Sequence, residues 1–103
     1  EKVFPEEVES ALKAHPDIID AVVVGVADPR WGQKITALLR KKANSNIDTE
    51  AVQGFCRDYI AGYKVPKVCL FLDEIKRSPA GKADYPWAKK TAEAILADQT
   101  KGS

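Results

Sequence analysis

Ile18-Ile19-Asp20-Ala21-Val22-Val23-Val24-Gly25-Val26 is apolar except at Asp20 and Gly25, and most of it is β-branched. Such a run reads as a central strand covered on both faces. Downstream, Asp28-Pro29-Arg30-Trp31-Gly32 supplies a turn. Ile35, Ala37 and Leu39 then alternate with Thr36, Leu38 and Arg40. That alternation predicts a second strand, antiparallel to the first and ending in the basic run Arg40-Lys41-Lys42.

Upstream of this pair, Pro5 suits the first turn of a helix, and Glu6 and Glu7 sit at the positive end of its dipole. Val8, Ala11, Leu12 and His15 share one helical face, and Pro16 stops the helix. Beyond the polar loop Ala43 to Asn46, Asp48 or Thr49 caps a second helix. Its expected buried stripe is Val52, Phe55, Cys56, Tyr59 and Ile60, with Gly62 just past its end. Val65-Pro66 enforces extended backbone, and Val68 to Leu72 reads as a third strand. An exposed loop, Lys76 to Lys82, precedes a last helix opened by Asp84 and Pro86, with Trp87, Thr91, Ile95 and Leu96 along one side. Gln99 to Ser103 is expected to fray. The sum is an α+β domain: a small three-stranded sheet with helices packed on it.

The chain has 103 residues, 45% apolar and 30% charged, which fits one small folded domain. A net charge of +1 gives no field that argues for DNA, RNA or an anionic membrane. Cys56 and Cys69 are too few for a disulfide framework and match no metal spacing. A buried thiol is the simpler reading of Cys56, and a reducing cytosol fits. No apolar run approaches transmembrane length and no signal peptide is visible. The chain begins at Glu1, without Met, and looks like a piece of a longer protein.

The segment that carries chemistry is Arg77-Ser78-Pro79-Ala80-Gly81-Lys82. It is expected to hold Lys82 at the tip of a tight loop, stiffened by Pro79 and freed at Gly81. A flexible ammonium suits phosphate or carboxylate oxygens. On spacing alone, a solvated surface lysine is the simpler reading. Lys76 and Ala83 stand where a phosphate-loop motif needs Gly and Ser/Thr, so that motif is absent. The single histidine, His15, reads as helix-end packing, and no serine has a His and acid set around it. Glu6, Glu7 and Glu9 read as a solvated helix start. Trp31 is either core padding or faces a partner. Lys64 lies on the rigid connector Gly62-Tyr63-Lys64-Val65-Pro66, where a surface turn is the plainer reading.

Three stretches in register change the odds. They are Val3-Phe4-Pro5-Glu6-Glu7-Val8-Glu9; Val22 to Gln33, including Asp28-Pro29-Arg30-Trp31-Gly32; and Gly62 to Pro66 leading into Arg77 to Lys82. Together, over essentially the whole chain, they resemble the C-terminal domain of the adenylate-forming superfamily: acyl-CoA synthetases, carrier-linked adenylation domains and luciferases. The resemblance implies that residues 1–103 are a mobile lid on an N-terminal domain that binds ATP, Mg²⁺ and a carboxylic acid. It implies that the hinge and the first hairpin strand lie upstream of Glu1, and that the fragment alone is inactive. Lys82 matches the lysine that enters the site for adenylation, bridging the acid and the α-phosphate in its charged form. Lys2 matches the loop that lines the tunnel for the CoA thiol in a second pose. Trp31, Gly32 and Lys64 match positions near the interface or the CoA surface, and Gly81 is grouped with them and Lys2 as substrate-, CoA- or nucleotide-proximal.

Two departures stand out. Lys2 replaces an Asn common among relatives, and Ala83-Asp84-Tyr85-Pro86-Trp87 replaces the usual Val/Ile followed by Arg-x-x-Leu. That tail looks like actinobacterial-type fatty-acyl or sterol-side-chain CoA ligases. The implied enzyme is a cytoplasmic acid–thiol ligase, with a membrane-peripheral location left open. A carrier-protein adenylation enzyme or acyl-AMP ligase is the alternative within the family. From other classes, Arg40, Lys41, Lys42, Lys64, Lys67 and Lys76 could serve a small nucleic-acid-binding module, or the chain could be a partner-binding domain that lost its chemistry.

Overall fold

Pro5 removes an N–H that would go unsatisfied anyway, so helix α1 (Pro5–Lys13) starts there. The structure, a computed structural model, describes residues 2–101. Strand β1 (Ile18–Asp28) follows, then β2 (Gly32–Lys41), α2 (Thr49–Cys56), a 3₁₀ turn (Gly62–Lys64), β3 (Val68–Phe71) and α3 (Tyr85–Lys101). β1 and β2 pair antiparallel, with Val22 opposite Leu38 and Val24 opposite Thr36. β3 lies parallel to β2, with Leu70 beside Leu38. A parallel neighbour needs a crossover, and α2 supplies it.

The strand order is β1-β2-β3, so β2 is central and β1 is an edge strand. This corrects the expectation for Ile18 to Val26. The run is apolar because helices cover both faces, not because strands flank it. Ile18, Ala21 and Val23 meet Val8 and Leu12 of α1 and, with Ala37 and Leu39, Val52 and Cys56 of α2. Val22, Val24, Val26, Leu38 and Leu70 meet Ala88 and Ala92 of α3. Alanines at these two positions let α3 approach the sheet closely. The expected stripe of Trp87, Thr91, Ile95 and Leu96 only flanks that contact, each of them half-buried.

The outer edge of β1 is closed by side chains. Glu9 is 7% exposed. Its Oε2 accepts the Val23 N–H at 2.9 Å, and its two oxygens accept the Tyr85 hydroxyl at 3.1 and 3.0 Å. Glu9 is therefore not part of a solvated helix start. Three residues before Leu12, it borders the buried stripe of α1. Burial pushes its carboxyl above the ordinary 4.5, although both hydrogen bonds oppose the shift. The same burial and the bond to Glu9 push the Tyr85 phenol up to about 12.

Three further expectations fail at helix ends. α2 stops at Cys56, and Tyr59 is 57% exposed. Asp58 and Tyr59 donate to the carbonyls of Phe55 and Cys56, three residues back. Tyr59 thus lies past the end of α2, outside its regular helical stripe. Tyr59 rests instead on Phe55, whose ring meets His15 edge-on at 4.7 Å. Gly62 opens the 3₁₀ turn rather than terminating α2. At the other end, α3 runs through Lys101 instead of fraying from Gln99, while Gly102 and Ser103 lie outside the described residues, as does Glu1.

Replacing Glu9 by Ala strands the Val23 N–H and the Tyr85 hydroxyl, and is expected to cost about 2 kcal/mol in urea unfolding. Glu9→Gln keeps an acceptor oxygen and is expected to lose much less. A raised folded value means that Glu9 favours the native state most below 4.5, and that this is lost as pH rises through the raised value. Wild type should therefore lose stability relative to Glu9→Gln on raising the pH. A pH-independent difference would contradict the burial described for this carboxyl.

Candidate functional site: the Lys82 loop and the groove beside Trp31

Ser78-Pro79-Ala80-Gly81 is a four-residue turn with Ser first, Pro second and Gly last, residue choices that suit those positions. The Gly81 N–H donates to the Ser78 carbonyl at 2.8 Å. Gly81 has φ +83°, a conformation that a side chain would disfavour, although a Cβ there would meet open space. Ser78 N–H then donates to the Lys82 carbonyl at 2.8 Å, and Arg77 forms an antiparallel bridge with Ala83. The segment is thus a small closed hairpin. Pro79 and Ala80 form its tip, and Lys82 sits on the returning limb rather than at the tip as expected.

Lys82 is exposed. Three ion pairs form among the described residues: Lys34 with Asp28, Lys64 with Glu7, and Arg77 with Asp20. Lys82 is in none of them and forms no side-chain hydrogen bond to a described residue. Other surface lysines share that freedom; what sets Lys82 apart is the closed loop that carries it. The loop is anchored to β1 by Arg77, whose Nε donates to Asp20 Oδ2 at 2.9 Å and whose Nη2 donates to Asp20 Oδ1.

The other expected residues gather elsewhere. A groove of about 810 Å³ is lined by residues that include Lys2, Val3, Trp31, Ile35, Tyr63 and Lys67. Trp31 is 57% exposed, so it is not core padding. The Asp28 carboxylate shapes its turn by accepting the N–H groups of Arg30 and Trp31 at 2.8 and 3.0 Å. Gly32 closes the turn at φ +81°, which explains glycine there without a ligand. Lys67, whose N–H donates to the Ile35 carbonyl at 2.9 Å, places its ammonium 4.7 Å from the Trp31 ring centre. Lys64 is engaged by both oxygens of Glu7, at 2.8 and 3.0 Å. Gly81 and Lys82 do not line this groove. The chain therefore presents two distinct surfaces: a lysine loop anchored to β1, and an aromatic, cation-edged groove.

Among the basic residues proposed for nucleic acid, three have partners of their own. Lys64 is paired with Glu7, Lys67 lies over Trp31, and Lys41 lies 5.0 Å from the Phe71 ring centre. Cys56 is buried and Cys69 half-buried; burial pushes the Cys69 thiol up to about 12, so neither is a poised nucleophile.

Residues 7–82 match the family model described as the AMP-binding enzyme C-terminal domain. The chain belongs to that family. It is 56% identical over 98 residues, 95% of its length, to a medium/long-chain-fatty-acid/3-oxocholest-4-en-26-oate CoA ligase of Mycobacterium marinum. It is 50% identical over 99 residues, 96% of its length, to a 3-oxocholest-4-en-26-oate CoA ligase of Rhodococcus rhodochrous. In each case it spans 18% of the relative's length. Among solved structures, a Mycobacterium tuberculosis fatty acyl CoA synthetase superposes with a TM-score of 0.85 at 28% identity, covering 92% of this chain and 19% of that one. An amide bond synthetase from Marinactinospora thermotolerans gives 0.79 at 33% identity, covering 85% and 18%. The relatives carry the acyl-CoA ligase names that the resemblance implied, and the solved folds match the three helices and three-stranded sheet described above. No described helix is long and apolar enough to cross a membrane.

Sequence reasoning misread Glu9 and gave Asp20 and Tyr63 no role. Asp20 and Arg77 are 57 residues apart, and no local pattern joins them. Asp20 interrupting an apolar strand was the available signal. Burial would raise its carboxyl, but the Arg77 hydrogen bond and the Ala21 N–H outweigh it and hold the group below the ordinary 3.8. A lowered folded value contributes stability above 3.8 that is lost as pH falls through it. The difference in Tm between wild type and Asp20→Asn should be a few degrees at neutral pH, for a pair worth roughly 1 kcal/mol. It should close on acidification below 3.8. A gap constant with pH would exclude the carboxylate charge as the feature that Arg77 holds.

Proposed function

We propose that this chain is the C-terminal lid of a longer ATP-dependent acid–thiol ligase, an acyl-CoA synthetase, and that Lys82 is its catalytic residue. The observation that carries the reading is the exposed ammonium of Lys82, unpaired among the described residues, on a closed loop in a chain of this family. An ion paired within its own domain would have to break that pair to serve another. In the first half-reaction the acid's carboxylate attacks the α-phosphorus of ATP and pyrophosphate departs. Negative charge gathers on the phosphoryl oxygens as the bond forms. An ammonium delivered between carboxylate and α-phosphate stabilises that charge and orients both reactants. Lys82 transfers no proton in this scheme.

ATP and the acid are held by the N-terminal domain. Mg²⁺, when bound there, would offset the charge of the departing pyrophosphate. Among the described residues of this chain no three His, Cys, Asp or Glu side chains come together. In the second half-reaction the lid turns and presents its other surface, and the CoA thiol attacks the acyl-adenylate carbonyl with release of AMP. Lys2 and Lys67 at the groove suit phosphate groups of CoA, Trp31 offers a flat apolar wall, and Gly32 and Gly81 shape the two loops. Lys64 contributes by fixing the connector to α1 through Glu7 rather than as an open cation. The acid is a medium- or long-chain fatty acid or a steroid side-chain acid, the substrates for which the similar ligases are named. The same names favour free CoA over a carrier-bound thiol. Two free thiols, neither in a disulfide, suit a reducing cytoplasm.

In the full-length enzyme, Lys82→Ala is expected to slow acyl-adenylate formation, read as acid-dependent pyrophosphate exchange, by on the order of 10²–10³-fold. Thioester formation from pre-made acyl-adenylate and CoA should change by less than about 3-fold. Equal loss in both half-reactions would contradict the assignment.

A further inference from the structure

The peptide that enters Lys82 is held at both ends. Its carbonyl, that of Gly81, accepts a hydrogen bond from Arg77 Nη1 at 3.2 Å. Its N–H, that of Lys82, donates to Ser78 Oγ at 3.2 Å. The next peptide is held as well, because the Lys82 carbonyl accepts the Ser78 N–H at 2.8 Å. The Cα of Lys82 is therefore fixed from both sides, while its side chain has no partner among the described residues. The anchor of this arrangement is Asp20, which fills two of the Arg77 donors and accepts the Ala21 N–H at 2.9 Å. Asp20 lies in β1, whose two faces are buried under helices. An unbroken path runs from the core through Asp20 and Arg77 to the backbone of Lys82.

We propose that Arg77, locked by Asp20, is the positioning residue for Lys82, and that adenylation depends on it through Lys82 alone. The inference rests on the function proposed above. A partly exposed ion pair contributes little to stability, so holding the sheet together is a weak account of this contact. The bond to the Gly81 carbonyl adds nothing to the sheet at all. Only a planar fork with several donors serves Asp20 and that carbonyl at once; the single ammonium of a lysine could keep the first contact but not this geometry. Misplacing a reacting group by about 1 Å can cost on the order of 10²-fold in rate.

The test is a double-mutant cycle in the full-length enzyme with Arg77→Ala, Lys82→Ala and both together, plus Arg77→Lys. Pyrophosphate exchange, thioester formation from pre-made acyl-adenylate, and Tm are read for each. Arg77→Ala should lower the kcat of adenylation roughly 10- to 100-fold and leave thioester formation within about 2-fold. In the Lys82→Ala background it should add less than about 2-fold, because there is no ammonium left to position. Arg77→Lys should keep the wild-type Tm yet lose adenylation roughly 10-fold, and it carries the cycle should Arg77→Ala fail to fold. Additive losses in the double variant, or equal losses in both half-reactions, would overturn the role of Arg77 while leaving that of Lys82 intact. Full adenylation by Lys82→Ala would overturn both.

Discussion

The Val23 N–H, on the outer edge of β1, is taken by the buried carboxylate of Glu9, which also accepts the Tyr85 hydroxyl. One side chain thereby ties α1 to β1 and to the first residue of α3. An edge strand normally leaves a row of open donors and acceptors. Here side chains occupy part of that row, and the helices they come from are fixed in place by doing so. A few residues along the same edge, Asp20 takes the guanidinium of Arg77 and so fixes the lysine loop. The architecture around β1 and the placement of Lys82 thus have a common origin: carboxylates at the border of an apolar strand.

The distribution of charge follows from this. Asp20, Asp28 and Glu7 each face a cation of their own, and each pair holds a local shape. Asp28 sets the turn that presents Trp31, Glu7 steadies the connector at Lys64, and Asp20 steadies the hairpin. The ammonium of Lys82 is outside these pairs. A cation with a rigid backbone and no partner among the described residues is suited to meeting an anion held by another domain. The groove edged by Lys2, Trp31 and Lys67 lies apart from it. Two surfaces used in turn would need such a separation, since a lid presenting both at once would crowd one reacting centre.

Local signals were legible in the sequence, and long-range ones were not. The strand marked by Ile35, Ala37 and Leu39 and the cap offered by Asp48 or Thr49 depend on neighbours a few residues away; the strand is found, and Asp48 is the one that caps. The pair Pro79 and Gly81 marked the loop correctly, but the hydrogen bonds that move Lys82 onto its returning limb could not be seen. Ile18 to Val26 was read as central because apolarity on both faces is the same whether strands or helices supply the neighbours. Tyr59 fitted a helical stripe, but α2 ends at Cys56 and leaves it exposed. Glu9 looked like a dipole-favouring acid because its partners, Val23 and Tyr85, are 14 and 76 residues away. Nothing in the spacing of Asp20 and Arg77 announces that they meet. The residues that build the scaffold for Lys82 were therefore the least visible, while Lys82 itself was marked by its turn and by its family.

The most direct measurement is a structure of the full-length protein with ATP and a non-reactive analogue of the acid. The account predicts the Lys82 ammonium about 3 Å from an α-phosphate oxygen and the acid's carboxylate, within charge-assisted hydrogen-bond range. The Arg77 bridge between Asp20 and the Gly81 carbonyl should be unchanged. A complex in which the groove beside Trp31 covers ATP, with the Lys82 loop turned to solvent, would contradict it.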